Sequence, residues 1–191
     1  MHPPIPLLER LREFDGSVDD FYASGFELLP SGEDDGGYPQ LSHRIRPFAQ
    51  ANGSGSTYAI WLRDDRADLA TLPVLFLGDE GGVHVVARDL PELLRVVASG
   101  WSPMGDWGSL DYYDEREEEE EEEEEDGAED DGWDPCPENP AFRAWLRESL
   151  GLDAAEDPNE IVRAAGDELW EPFAAWIGPL IPDVVSSRRS G

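Results

Sequence analysis

Lysine is missing from this 191-residue chain, whose fourteen side-chain cations other than histidine are all arginine. A skew of that kind is expected from the codon usage of a GC-rich bacterial genome and speaks of the host, not of an activity. Cysteine occurs once, as Cys136, so no disulfide can form within the chain and nothing favours an oxidising compartment. No apolar run approaches the roughly 20 residues of a membrane-spanning helix. The opening MHPPIPLLERLREF lacks the basic start and long apolar stretch of a signal peptide. A cytoplasmic location with no membrane partner is the expectation.

Catalytic signatures are equally scarce. There is no Gly-x-Ser-x-Gly, no HExxH and no paired-cysteine motif. His2, His43 and His84 have no metal-ligand spacing to one another or to Cys136, and His84 alternates with Val83 and Val85 as a strand residue does. Cys136 sits in Asp134-Pro-Cys-Pro-Glu, where neighbouring acids raise a thiol pKa and blunt its nucleophilicity. The abundant carboxylates read as exposed, and an exposed carboxylate is not a tuned general acid. The reading is a non-enzymatic protein without a cofactor or a bound metal.

What the chain has in excess is negative charge. Its formal net charge is −30. Between Asp111 and Asp131 stand sixteen acids and one arginine, nine of the acids forming the run Glu117–Glu125. This stretch carries half the net charge. Like charges at that density cannot be buried, so a disordered linker is expected there, or an electrostatic arm that speeds capture of a basic partner. The spacing has no EF-hand character. The remainder is still acidic, which repels phosphate backbones and argues against nucleic acid. A basic protein is the partner such a surface attracts.

Periodicity outlines the rest. Leu7, Leu8, Leu11 and Phe14 predict a helix over 5–15, ended at Gly16, with Ser17 capping a second short turn through Phe21 and Tyr22. Pro30 to Pro39 reads as a loop. Residues 43–63 read as a hairpin turning at Asn52-Gly53, a pair that tolerates positive φ, and Pro47 marks its incoming strand as an edge or a bulge. A second hairpin joins Val74–Leu77 to Val83–Ala87 through Gly78-Asp-Glu-Gly-Gly. Asp89 and Glu92 then cap a helix carrying Leu90, Leu93, Leu94 and Val97. Asn139-Pro140 and Asp157-Pro158 start two more helices, the second split at Pro172. Hairpins followed by helices, without βαβ alternation, predict an α+β fold: an antiparallel sheet of two hairpins packed by flanking helices. The expected division is a core over 1–110, with strands over about 43–87 and a helix over 89–99. An acidic insert follows over 111–137, C-terminal helices over 138–182 and a tail over 183–191.

The segments PFAQANGSGSTYAIWL, PVLFLGDEGGVHVVA and DLPELLRVVASG, spanning Pro47 to Gly100, resemble the SUKH superfamily in their order of hairpin, Gly-rich turn and strand-to-helix step. The resemblance implies a SUKH-like α+β domain without catalysis. In bacteria such a domain is commonly an immunity protein that neutralises a toxin, here a basic one. The alternative is a housekeeping or regulatory scaffold of the same fold that binds an endogenous protein through its C-terminal helices. The family has no fixed binding residues to transfer.

Candidate contact residues therefore come from the chain itself. Asp79 and Glu80 would present carboxylates at the sheet rim. Trp101, Trp107, Tyr112, Tyr113 and Trp133 flank the acidic run, either as anchors tucked against the core or as an exposed aromatic patch beside a negative field. Asn52-Gly-Ser54 matches a glycosylation acceptor, but the hairpin reading takes precedence.

Overall fold

The computed structural model describes residues 4–30, 37–116 and 134–188. The run Glu117–Glu125 lies outside the described residues, with Asp126, Asp130, Asp131, Trp133, His2 and most of the expected Pro30–Pro39 loop.

Five strands form one antiparallel meander in chain order: β1 (Glu27–Leu28), β2 (Ile45–Gln50), β3 (Thr57–Trp61), β4 (Val74–Leu77) and β5 (Val83–Ala87). The fold is α+β. Every residue of β3 and β4 is buried. Alternation along them sends Tyr58, Ile60, Val74 and Phe76 into one hydrophobic layer and Ala59, Trp61, Leu75 and Leu77 into another. The sheet is therefore covered on both faces.

The first layer is closed by α1 (Pro6–Asp15), α2 (Leu90–Val97) and α3 (Asn139–Leu150), through Leu8, Leu11, Leu93, Leu94, Phe142 and Leu146. The second is closed by α4 (Pro158–Glu168), α5 (Trp170–Ile177) and α6 (Pro182–Arg188), through Ala165, Phe173, Ile177 and Val184. Burying one large apolar side chain in either layer contributes about 1.5–3 kcal/mol.

The register explains Pro47. Pairing of β2 with β3 shifts between Pro47 and Ala49, and β1 reaches only Ala49 and Gln50, so the missing N–H falls at a bulge beyond the short edge strand. Asp89 accepts the Glu92 N–H at 2.8 Å, while the Glu92 carboxylate accepts the Arg88 N–H at 2.7 Å. That is a capping box displaced by one residue.

Several expectations need correction. Ser17 caps no second helical turn: its hydroxyl donates to the Phe14 carbonyl at 2.6 Å, closing the end of α1. Asn139 is the first residue of α3, not its cap, because its amide is drawn away to the carbonyls of Tyr22 and Ala98. The last long helix breaks at Leu169, three residues before Pro172. Pro172 thus falls in the first turn of α5, where a missing N–H costs nothing. The stretch beyond Pro182 is helical through Arg188, held by Val184 at 4% exposure.

A further hairpin, β6 (Ser102–Gly105) and β7 (Leu110–Tyr113), follows α2. It carries strand pairing three residues past the boundary expected at 110. The outer edge of β7 is closed by Asn159, whose side chain accepts the Tyr112 N–H at 2.7 Å and donates to the Tyr112 carbonyl at 2.8 Å. Among the described residues no helix is long and apolar enough to cross a membrane.

Candidate functional site at the hairpin tips

Three turns meet at one end of the sheet. In the first, the Asn52 side-chain oxygen accepts the N–H groups of Gly55 at 3.2 Å and Ser56 at 3.0 Å. The positive φ falls on Gly55 and not on the Asn-Gly pair, because Asn52 works through its side chain in a wider loop. The second turn closes by the Gly78 N–H donating to the Gly82 carbonyl at 3.0 Å. In the third, Asp106 accepts from the N–H groups of Gly108 at 2.6 Å and Ser109 at 2.9 Å. These backbone donors hold the Asp106 carboxyl below the usual carboxylate range.

The turns are fastened to each other. Asp79 Oδ1 accepts the hydroxyls of Ser54 at 3.0 Å and Ser56 at 2.6 Å. His84 Nε2 lies 2.6 Å from the Asp106 carbonyl, which can only accept, so this nitrogen carries the proton. The Trp107 ring lies against Gly81, where a Cβ would stand 2.2 Å from it, and Gly81 has φ +109°. Only glycine fits there. The Tyr38 hydroxyl donates to the Gly78 carbonyl at 2.8 Å, bracing the second turn from the other side.

Beside these tips lies a groove of about 700 Å³. Asp20, Asp79, Glu80, Glu115 and Asp134 line it, and among the described residues no arginine does. Two apolar side chains on its wall are strongly exposed, Phe21 at 46% and Met104 at 66%. Both bounds of the undescribed acidic segment open here. On one side, the Ser102 hydroxyl donates to Glu115 and Arg116 pairs with Asp114 at 2.9 Å. On the other, Asp134 accepts the Cys136 N–H at 3.0 Å, and the Glu138 N–H donates to the Phe21 carbonyl at 3.0 Å. Cys136 is buried, and its thiol is pushed up to about 11, first by burial and then by Asp134.

The sequence-derived contact set divides accordingly. Glu80 is exposed and lines the groove; Asp79 lines it too, but one of its oxygens is committed to the two serines. Tyr113 lines the groove from β7, and Trp107 stands 38% exposed over Gly81. Trp101 is half-buried against the core. Tyr112 leaves the contact set: it is 3% exposed, and its hydroxyl meets that of Tyr58 at 2.6 Å inside the core. Trp101 and Tyr112 are thus anchors, while Trp107 and Tyr113 remain on the surface.

Asp20, Phe21, Met104, Glu115 and Asp134 also line the groove and stand outside the sequence-derived contact set. Phe21 and Asp134 lie in irregular segments, and Met104 lies in the overlooked hairpin, so no periodicity flags them. Among the described residues no group of three or more His, Cys, Asp and Glu side chains is set to hold a metal ion.

Comparisons with protein-family models, with curated proteins and with solved structures yield no match to this chain.

Proposed function

We propose that this chain is a protein-binding domain without chemistry of its own, and specifically a SUKH-type immunity protein that neutralises a basic toxin. The observation that carries the reading is the groove at the hairpin tips, where five carboxylates converge, with no arginine among the described lining residues, around exposed Phe21 and Met104. A surface of that composition favours cationic partners and speeds their encounter. The resemblance over Pro47–Gly100 supplies the immunity role, and the antiparallel α+β architecture is compatible with it.

The test is co-expression with the basic C-terminal domain of a toxin encoded beside the gene. Co-purification and protection of the host are expected. Failure to bind or protect against any such domain removes the immunity reading.

A regulatory scaffold is the second reading, with an endogenous partner held by the C-terminal helices. Leu180, 42% exposed just beyond α5, favours it. A pull-down that recovers one endogenous protein and loses it on Leu180→Ser decides for the scaffold.

A further inference from the structure

Four of the groove's carboxylates are pinned by one oxygen each. Asp20 Oδ1 accepts the Phe21 N–H at 2.8 Å, Asp134 Oδ1 accepts the Cys136 N–H at 3.0 Å, Asp79 Oδ1 takes the two serine hydroxyls, and Glu115 Oε1 takes the Ser102 hydroxyl. The second oxygens of Asp20, Glu115 and Asp134 make no hydrogen bond among the described residues. Glu80 is exposed at the same rim. The carboxylates are thus oriented before a partner arrives, which lowers the entropy cost of binding a guanidinium or ammonium group.

The apolar pair rests on fixed backbone. The Phe21 carbonyl is held by the Glu138 N–H at 3.0 Å, and Met104 is paired with Asp111 in the β6–β7 ladder. Those bonds fix the two backbone positions from which the side chains project. The remaining wall includes Pro103, Pro135 and Pro137, none of which has an N–H to donate. The outer edge of β7 is already closed by Asn159. Along β7 an incoming chain therefore finds no free edge to extend, which leaves the side chains of the groove to carry recognition there.

We infer that the groove receives a basic segment of the partner carrying one large apolar side chain, which inserts between Phe21 and Met104 while flanking cations meet Asp20, Glu80, Glu115 and Asp134. This rests on the protein-binding reading above and names its surface. A bare polycation leaves Phe21 and Met104 in water, and a neutral apolar peptide leaves the carboxylates crowded. Only the combination satisfies both. Met104 suits the role, since its unbranched thioether adapts to side chains of different shape.

The chain contains two methionines, Met1 and Met104, so methyl-¹³C-methionine labelling of the full protein yields a reporter inside the groove. The probe is the capped peptide Arg-Arg-Trp-Arg-Arg, compared with capped penta-arginine. The Met104 methyl resonance is expected to shift saturably with the first peptide, and to need about fivefold or more of the second. Phe21→Ser weakens the first peptide by a similar factor, whereas Leu180→Ser does not. Met104→Ser, read by anisotropy of the labelled peptide, gives the same loss as Phe21→Ser. Because both side chains are exposed, neither substitution endangers the fold. An unmoved Met104 methyl, or equal response to both peptides with no effect of Phe21→Ser, overturns the inference. If a native partner is captured and leaves that methyl unmoved, the groove is the wrong surface while the protein-binding reading stands.

Discussion

The Asp79 carboxylate accepts the Ser56 hydroxyl at 2.6 Å, and the Ser56 oxygen in turn accepts the Asp79 N–H at 3.3 Å. This reciprocal pair, with Ser54 as a third member, joins the tip of the β2–β3 hairpin to the tip of β4–β5. It holds the Asp79 carboxyl below its ordinary range, with the Ser56 hydroxyl as the main cause. A depressed folded-state pKa adds stability that is present above the unfolded value of about 4 and is lost as pH falls through the folded value. Because the site is solvent-exposed, Asp79→Ala should cost only about 0.5–1 kcal/mol at pH 7. The difference from the parent should begin to narrow below about pH 4 and close as pH falls through the folded value. Urea unfolding at pH 7 and pH 3 checks both values, and a pH-independent difference excludes the linkage.

Tyr58 and Tyr112 share a hydrogen bond of 2.6 Å with both rings buried. Burial holds both phenols well above their ordinary pKa, so each stays protonated and one donates to the other. Tyr112→Phe strands the Tyr58 hydroxyl and should cost about 1–2 kcal/mol, whereas the double Tyr58→Phe/Tyr112→Phe variant should recover most of that loss. Partner affinity should be unchanged in both. Lost affinity with full stability would return Tyr112 to the contact surface.

The pattern of the two hairpins and α2 was legible because several signals agreed there. Val74–Leu77 is apolar on both faces, the glycine turn follows at once, and Asp89 with Glu92 marks the next helix. The β6–β7 hairpin was not legible. Its turn, Asp106-Trp-Gly-Ser, is closed by an aspartate side chain, and Pro103 and Gly105 erase the alternation of β6. The groove was hidden for a different reason. It gathers Asp20, Asp79, Met104 and Asp134 from four separate loops or strands, and their proximity depends on three-dimensional packing. Composition foretold the sign of the surface, but not its place.

Cys136 should be inert in the folded protein. Its burial and a thiol pKa of about 11 leave a thiolate fraction about 100-fold below that of an ordinary thiol near pH 8. Occlusion beneath Gly100 slows attack further. Labelling with an aromatic disulfide at pH 8 should therefore run at least about 100-fold slower in buffer than in urea. Rapid native labelling would mean that the joint between Asp134 and Asn139 opens, detaching the start of α3 from the carbonyls of Tyr22 and Ala98.

The acidic run can be separated from the groove by replacing residues 117–131 with a Gly/Ser chain of equal length. The exchange begins after Arg116 because Asp114 pairs with that arginine and Glu115 takes the Ser102 hydroxyl, so a wider deletion would disturb the groove itself. It removes thirteen acids and brings the net charge from −30 to −17. Less self-repulsion favours the compact state. The melting temperature should therefore hold or rise, and a fall of several degrees would mean that the run packs against the core. For a basic partner, the association rate should drop about tenfold in low salt, with a smaller change in dissociation. Above about 0.5 M salt, where the screening length is only a few ångströms, parent and variant should associate alike. Phe21→Ser should do the reverse, raising the dissociation rate at every salt concentration. Stopped-flow and surface-binding kinetics on both variants would resolve the two roles. If Phe21→Ser and the Gly/Ser exchange slow association alike, encounter and recognition are not divided between the run and the groove.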